Sequence, residues 1–234
     1  MSRQKPPLRA VVLDFDGVIV ESLDVKAEAF AILFAEHREH VEAIVRLHRE
    51  NGGMSRYEKF RIIYRDYLQR PLDPATMAAL DLRFSSLVRD RVIAAPFVPG
   101  AHEFLQSMSG RMPLYVVSAT PQEEIEAIIG ARGLEAFFKA VHGSPTPKGE
   151  WLARIVVREG GDPRSIVFVG DGRADLEGAR HVGTRFVGRV PAGGWDPFAG
   201  AEIDARVTDL REISPVLHTL FMVREPGAGR EGRT

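Results

Sequence analysis

Short apolar runs alternate with segments of helical periodicity in this sequence, and this alternation is the strongest constraint on its fold. The first run, residues 11–13, ends at the aspartates of Asp14-Phe15-Asp16-Gly17. Continuously apolar runs are typical of parallel strands that are buried on both faces. Strands alternating with helices predict an α/β fold with a doubly wound, Rossmann-like parallel sheet. The predicted strands cover residues 11–13, 113–117, 137–141, 165–169 and 184–187, and a last strand–helix pair covers 205–221.

Residues 20–94 differ from the rest of the chain because their apolar side chains recur at helical spacing, without a strand pattern. Ser55 stands three residues before Glu58, which is the spacing of a helix capping box. Pro71 marks the end of one predicted helix, and Asp73-Pro74 the start of the next. The sequence therefore predicts an α/β core over residues 1–18 and 95–223, an inserted all-helical cap over 19–94, and a disordered tail over 224–234.

Composition excludes several classes of protein. The 234 residues carry a formal net charge of −1, so we expect neither nucleic acid nor an anionic membrane as a partner. The absence of cysteine excludes disulfides, thiolate catalysis and thiolate metal sites. No apolar run approaches the roughly 20 residues that a membrane-spanning helix needs. We expect no signal peptide, and therefore a cytoplasmic protein.

Polar side chains stand where several of the predicted strands end. The carboxyl ends of the strands in a doubly wound sheet meet at one edge, so we expect these side chains to lie close together. Several carboxylates beside one lysine and one hydroxyl suit Mg²⁺ and a phosphate group. Each residue taken alone also fits a structural role, as a turn residue, a helix cap or a solvated charge. The set comprises Asp14, Asp16, Ser118, Lys148, Asp171 and Asp175.

Two of these segments are specific enough to indicate a family. Asp14-Phe15-Asp16-Gly17-Val18 resembles the first motif of the haloacid dehalogenase superfamily, DxDG[TV], and residues 170–175 resemble its fourth motif, GDxxxD. Ser118 and Lys148 resemble the second and third motifs, which are less specific. The resemblance spans residues 10 to about 190. The inserted helices are similar to the small cap of the family's phosphoglycolate phosphatase and beta-phosphoglucomutase-like branch.

The resemblance implies a Mg²⁺-dependent phosphatase that acts through an aspartyl-phosphate intermediate. Asp14 would be the nucleophile, and Asp16 the acid that protonates the leaving oxygen and then the base that activates water. The metal would be held by Asp14, the backbone carbonyl of Asp16 and Asp171. Asp175 would support the metal shell or the lysine.

The remaining motif residues would bind the phosphoryl group. Ser118 would donate a hydrogen bond to a phosphoryl oxygen, and Lys148 would offset the negative charge of the site. Backbone N–H groups near Gly17 and Ala119 would surround the other phosphoryl oxygens. The substrate would be a small phosphorylated metabolite, of the sugar phosphate or phospho-organic acid class, enclosed by the cap.

The predicted cap offers two cations to such a substrate. Arg56 and Lys59 follow the flexible Gly52-Gly53 pair at a predicted helix start, and we expect them to contact the substrate. The alternative is a helix cap with surface charges. His37, His40 and His48 lie on predicted helices of the same segment, and we interpret them as part of a solvated face.

Asp16 separates the chemistries found in the superfamily. Its dehalogenases lack a second aspartate at this position, and its phosphonate-cleaving members have alanine there, so Asp16 argues against both. A phosphosugar mutase of the same superfamily remains open as an alternative. A signalling switch based on a phosphorylated aspartate is less favoured, because such domains lack a helical block after the first strand.

Overall fold

The computed structural model describes residues 5–222 and has a parallel sheet at its centre. The predicted tail, residues 224–234, lies outside the described residues. The strands are β1 (Ala10–Leu13), β2 (Leu114–Pro121), β3 (Ala140–Ser144), β4 (Ile166–Gly170), β5 (Arg185–Arg189) and β6 (Ala205–Val207). They are ordered β3-β2-β1-β4-β5-β6, and every neighbouring pair is parallel. This arrangement confirms the predicted doubly wound, Rossmann-like α/β fold.

Helices cover both faces of the sheet and form the segment that follows β1. They are α1 (Leu23–Leu33), α2 (Val41–Glu50), α3 (Arg56–Ile62), α4 (Pro74–Ala94), α5 (Ala101–Met108), α6 (Gln122–Ala131), α7 (Lys148–Arg158), α8 (Arg173–Val182) and α9 (Ile213–Leu220). Along β1, Val11 and Leu13 pack into one hydrophobic core and Val12 into another. Successive side chains of a strand point to opposite faces, so an apolar run is needed to fill both cores. None of the described helices is long and apolar enough to cross a lipid bilayer.

The predicted strand over residues 137–141 is shifted in the structure, where β3 covers Ala140–Ser144. Phe137 ends a short 3₁₀ turn, and Phe138 follows it. Both phenylalanines pack against the hydrophobic core from outside the sheet, so they look like strand residues in the sequence. The end of β3 contains polar residues such as Ser144, which hide the strand from a pattern search.

The helices α1–α4 fill the segment between β1 and α5, and we call residues 19–94 the cap segment. The predicted capping box is confirmed, because Ser55 accepts a hydrogen bond from the backbone of Glu58 and the Glu58 side chain accepts one from the backbone of Ser55. Asp73 caps α4 in the same way, through the backbone N–H of Thr76 at 2.8 Å. The predicted third helix differs at its end, where α3 changes into a wider π-helical turn over Ile63–Tyr67.

The chain enters and leaves the cap segment at adjacent positions. Val20 and Phe97 form an isolated antiparallel bridge. The N–H of Glu21 donates to the carbonyl of Pro96 at 2.9 Å, and the N–H of Val98 donates to that of Ile19 at 3.0 Å. A segment joined to the sheet by two adjacent connections has the geometry of an insertion. The division into core and cap domains stays a prediction.

Aromatic side chains fill the interior of the cap segment. The rings of Phe30 and Phe84 lie 4.8 Å apart, and Phe60 packs beside both. His48 stacks on Phe30 at 4.9 Å and is buried, so its prediction as part of a solvated face was wrong. His48 is buried because it lies on the side of α2 that packs against α1. His37 is half-buried.

Candidate active site

The carboxyl edge of the sheet brings together residues that are far apart in the sequence. Asp14 directly follows β1, and its N–H donates to Val169 of the neighbouring β4 at 2.9 Å. Asp171 follows β4, and Ser118 lies in β2 on the other side of β1. Gly17 turns the chain with φ of 71°, where a Cβ would lie 2.3 Å from the carboxylate of Asp171. Only glycine fits this approach of the two loops.

Lys148 joins two of the carboxylates. It is the first residue of α7 and is buried, with Nζ 2.7 Å from Asp14 Oδ2 and 2.5 Å from Asp175 Oδ1. Burial alone would lower the pKa of Lys148, but the charges of Asp14 and Asp175 outweigh it and raise that pKa. The second oxygen of Asp175 accepts the N–H of Gly172 at 2.9 Å. Asp175 thus fixes both the lysine and the loop that carries Asp171.

Asp14, Asp171 and Asp175 form a buried acidic cluster, with one oxygen of each within 4.8 Å of the others. Burial raises the pKa of Asp14 to about 7, and the charges of Asp175 and Asp16 add to this against the opposing Lys148. Burial and the charge of Asp14 also raise the pKa of Asp171 well above its usual range. Three buried carboxylates and one lysine leave an excess of negative charge.

Asp171 carries the observation that favours a cation. Its Oδ1 is buried and has no hydrogen-bond partner among residues 5–222. Buried carboxylate oxygens are normally paired, so an unpaired one beside two further carboxylates is suited to binding a cation. Mg²⁺ binds oxygen ligands and uses one or two carboxylates together with water and phosphate oxygens. The acidic cluster therefore fits such an ion.

Asp16 lies outside this cluster, because its carboxylate points towards the cap segment. Ser22 Oγ donates to its Oδ1 at 2.6 Å. Its Oδ2 accepts Lys26 Nζ at 2.5 Å and Thr120 Oγ1 at 3.0 Å. Burial would raise the pKa of Asp16, but Lys26 and these hydrogen bonds lower it. Metal binding by Asp16 could thus involve only its backbone carbonyl, and it stays a prediction.

Lys26 is a site residue that the sequence analysis missed. Besides Asp16, its ammonium contacts Thr120 Oγ1 at 3.0 Å, which links α1 to β2. Ser22 and Lys26 are four residues apart at the start of α1, so both reach the same face of the helix. That spacing was the available signal.

The residues predicted to bind the phosphoryl group are Ser118, Ala119 and Gly17. Ser118 is buried, and its Oγ accepts the N–H of Thr120 at 3.1 Å, which leaves the hydroxyl proton available. Ala119 lines a space of about 40 Å³ beside Asp14. The N–H of Gly17 donates to the carbonyl of Val20 at 2.8 Å. The N–H of Gly17 is therefore already paired, which contradicts its predicted role as a donor to a phosphoryl oxygen, and Gly17 contributes to the site through its missing side chain.

Lys59 reaches this space from α3 of the cap segment. It is only 3% exposed. Its ammonium lies 3.0 Å from Nδ1 of His48, and it forms no ion pair within residues 5–222. Burial lowers the pKa of Lys59 to about 7, and the charge of Lys26 acts in the same direction. The charge of Lys59 also acts with burial to lower the pKa of His48 well below its usual range.

Arg56 is held elsewhere. Its guanidinium forms two hydrogen bonds with Glu124 of α6, at 2.5 and 3.0 Å, and a third with Asp81 of α4 at 3.1 Å. Ser85 contacts both Arg56 and Glu124. Of the two predicted substrate-binding cations, the structure brings Lys59 to the site and uses Arg56 to connect the cap segment with the helix after β2.

The loop between α2 and α3 covers the acidic cluster directly. A Cβ on Gly172 would lie 2.0 Å from the carbonyl oxygen of Gly52, and a Cβ on Gly53 would lie 3.0 Å from the carboxylate of Asp175. Such close backbone contact needs glycines on both sides. This loop contact and the small volume of the space beside Asp14 leave little room for water around the acidic cluster.

Comparisons with known proteins agree with this geometry. A family model described as haloacid dehalogenase-like hydrolase matches residues 8–183. A phosphoglycolate phosphatase from Synechococcus elongatus is 29% identical over 191 residues, which amount to 75% of this chain and 81% of that protein.

Solved structures share the fold at lower identity. A haloacid dehalogenase-type hydrolase from Bacillus subtilis, solved bound to magnesium, gives a TM-score of 0.63 at 18% identity, covering 91% of this chain and 99% of that one. A protein assigned as a beta-phosphoglucomutase from Thermotoga maritima gives 0.65 at 21% identity, covering 92% and 100%. At these identities the likeness establishes the fold alone.

Proposed function

This chain belongs to the haloacid dehalogenase-like hydrolase family and is a phosphoric monoester hydrolase; we propose that it cleaves small phosphorylated metabolites through a phosphorylated Asp14, with Mg²⁺ as its cofactor. The observation that carries the proposal is the contact of Lys148 with both Asp14 and Asp175, beside the unpaired oxygen of Asp171. It combines a buried nucleophile, a fixed cation and a place for a metal ion.

Asp14 acts as the nucleophile in this proposal. One of its carboxylate oxygens attacks the phosphorus atom of the substrate, and the bond between phosphorus and the leaving oxygen breaks. Lys148 keeps the Asp14 carboxylate oriented and offsets charge on the phosphoryl oxygens. The hydroxyl of Ser118, which has its proton available, donates to one of those oxygens. Water then cleaves the acyl phosphate, which releases inorganic phosphate and restores Asp14.

Asp16 moves the protons. It protonates the leaving oxygen in the first step and takes a proton from the attacking water in the second. The ammonium of Lys26, at 2.5 Å, stabilises the ionised Asp16 that remains after the first step. The proton that Asp16 takes from water in the second step restores its protonated form for the next cycle. The two aspartates of the first motif thus have different partners, which suits their different roles.

The acidic cluster would hold Mg²⁺ through Asp14 and Asp171, with Asp175 positioning Lys148 beside them. When bound, the ion supplies positive charge that balances the carboxylates and the phosphate. Lys59 supports the proposal from the cap segment, because an anionic substrate would supply the ion-pair partner that this buried amine lacks within residues 5–222. We assign no substrate contact to Arg56, because both terminal nitrogens of its guanidinium already donate to Glu124, Asp81 or Ser85.

Replacing the nucleophile tests the proposal. Asp14→Asn should abolish phosphate release from an aryl phosphate, because an amide cannot form the acyl phosphate. Asp90→Asn, which alters an exposed carboxylate on α4, serves as the matched control and should keep wild-type turnover. EDTA should stop the wild-type enzyme and added Mg²⁺ should restore it. Wild-type rates in Asp14→Asn would refute the assignment of the nucleophile.

A further inference from the structure

Trp195 is the feature that the proposed chemistry leaves unexplained. It lies in the loop between β5 and β6, and 53% of its surface is exposed. Tryptophan is among the largest apolar side chains and is enriched at binding interfaces, where its ring is partly buried and its N–H remains accessible. The loop was assigned no role in the sequence analysis.

Contacts of Trp195 and its neighbours hold this loop in place. Phe198, three residues further on, is fully buried, and the guanidinium carbon of Arg173 lies 6.0 Å from the centre of the Trp195 ring. The carboxylate of Asp196 accepts from Arg206 at 3.1 Å, and the carbonyl of Pro197 accepts from Arg173 at 3.1 Å. An aromatic surface that is ordered before binding loses little conformational entropy when a ligand arrives.

The indole lines a cavity of about 550 Å³ that connects with the acidic cluster. This volume lies within the roughly 300–1,000 Å³ that is usual for sites of drug-sized ligands. The space beside Asp14 holds about 40 Å³, which suits a phosphoryl group but no complete metabolite. The two spaces have four lining residues in common, namely Leu23, His48, Gly52 and Asp171.

Polar groups of the cavity are suited to hydroxyl groups. Glu21 lines it, and Arg189 donates to both oxygens of its carboxylate, at 2.6 and 3.1 Å. This ion pair fixes the Glu21 carboxylate while its remaining lone pairs can still accept hydrogen bonds. Arg49 lines the same cavity from α2. The cavity therefore offers an aromatic face, a fixed acceptor and a cation.

We propose that the Trp195 cavity binds the leaving group of the substrate, and that this group is a nucleoside whose base stacks on Trp195 and whose sugar hydroxyls donate to Glu21. The proposal rests on the proposed phosphatase function and specifies its substrate class. With water as co-reactant, a nucleoside monophosphate would yield a nucleoside and inorganic phosphate. A two-carbon leaving group would fill little of the 550 Å³.

A second cavity of about 470 Å³ opens on the opposite side of the site, beside Ser118 and Lys148. It is lined by Tyr57 and Arg61 of α3. The Trp195 cavity is the better candidate for a nucleoside, because in the proposed mechanism Ser118 and Lys148 of the second cavity bind the phosphoryl group. Arg61 lines only the second of these two cavities, so Arg61→Ala tests whether the leaving group binds there instead.

Selectivity is the first test. Trp195→Ala should lower the ratio of kcat/KM for a nucleoside monophosphate to kcat/KM for glycerol phosphate by about tenfold or more, the usual loss on removing a base-stacking side chain. Trp195→Phe should restore most of the ratio. Leu82→Ala, which removes another apolar side chain that is 75% exposed, should leave it unchanged. An unchanged ratio in Trp195→Ala, or a drop in Arg61→Ala instead, would overturn the proposal.

Binding without turnover separates this proposal from the catalytic one. In Asp14→Asn combined with Trp151→Phe, Trp195 is the only tryptophan, and a nucleoside monophosphate should quench its fluorescence. Quenching in this variant would support the cavity assignment even if the wild-type enzyme released no phosphate. Absence of quenching, or equal quenching by a hexose phosphate, would reject the nucleoside.

Discussion

Burial of its amine places Lys59 in an unfavourable environment. Its ammonium is buried beside His48 and is close enough to Lys26 to be affected by its charge. The pKa falls from 10.5 to about 7, so the folded chain loses the Lys59 proton at a pH where an unfolded chain keeps it. Raising the pH then favours the state with fewer bound protons, which is the folded one.

The stability of Lys59→Met relative to wild type should therefore change with pH. Between pH 7 and 9 the free energy of unfolding of wild type should rise by about 2 kcal/mol relative to Lys59→Met, since each pKa unit corresponds to about 1.4 kcal/mol. Urea unfolding at several pH values measures the difference. Lys139→Met, at an exposed lysine, should parallel wild type. Parallel curves for Lys59→Met would contradict the lowered pKa.

The sequence was informative about residues whose role follows from a local pattern. Asp14 and Asp171 stand at the ends of apolar runs, and the parallel sheet brings those ends together. Lys26 and His48 gain their roles from partners in other elements. The spacing of Ser22 and Lys26 hinted at the first of these roles, and only the folded structure reveals the second. The structural role of Arg56 was not apparent for the same reason, because its partner Glu124 is far away in the sequence.

At the scale of elements, the loop between α2 and α3 and the loop after β4 form one contact surface. Gly52 and Gly172 approach so closely that Gly172 has no room for a side chain, while a Cβ on Gly52 would make a tight contact of 3.3 Å with the Gly172 Cα. Gly172 has φ of −128°, a value that any residue adopts. Position 172 therefore requires glycine because of the nearby Gly52 carbonyl and not because of its own backbone conformation. The closed position of the cap segment depends on this contact.

Gly172→Ala should hold the two loops apart. Its Cβ would lie 2.0 Å from the Gly52 carbonyl oxygen, and a displacement of about 1 Å near a reacting group can cost a hundredfold in rate. We expect kcat/KM for an aryl phosphate to fall by a factor of that order, with a smaller loss in Gly52→Ala, whose Cβ would lie 3.3 Å from Gly172. Steady-state kinetics and a thermal melt would separate activity from folding.

The matched control for this pair is Gly149→Ala. Its Cβ would meet nothing closer than 3.6 Å, so activity should be retained. Wild-type activity in Gly172→Ala would mean that the two loops are not in contact during catalysis.

For the whole molecule, the acidic cluster exchanges stability for function. Asp14, Asp171 and Asp175 repel one another, and only Lys148 balances them within the described residues of the cluster. Burial makes this repulsion costly, as the raised pKa values of Asp14 and Asp171 indicate. A bound cation would relieve it and stabilise the fold.

Mg²⁺ should therefore raise the thermal stability of the wild-type chain. At a concentration one hundred times its Kd, a ligand that binds only the folded state adds about 2.7 kcal/mol. Asp171→Asn should be more stable than wild type without Mg²⁺ and should lose most of this response. Asp209→Asn, at a buried aspartate outside the site, should still respond. A full response in Asp171→Asn, read by calorimetry, would exclude Asp171 as a ligand.

The central strands β1 and β4 could be predicted because they are buried on both faces and are therefore continuously apolar. The predictions differ most at β3, an edge strand with a mixed pattern, and at the end of β2, which continues past the predicted residue 117 to Pro121. The cavity beside Trp195 could not be predicted, since it is formed by the loop after β5, α2 and the connection before α1. Cavities depend on how elements are arranged, and no local pattern encodes that arrangement.

The adjacent connections at Val20 and Phe97 determine how the cap segment can move. A segment joined to the sheet by one pair of adjacent connections can rotate about that point, and the contact of Arg56 with Glu124 limits the rotation. Glu21 lies at this connection and also lines the Trp195 cavity. Gly52 lies farther from the connection, in the loop that covers the acidic cluster. One small rotation would therefore lift Gly52 from the aspartates and leave Glu21 almost in place. The leaving group would stay bound beside Glu21 while the movement of Gly52 exposes the phosphate to solvent.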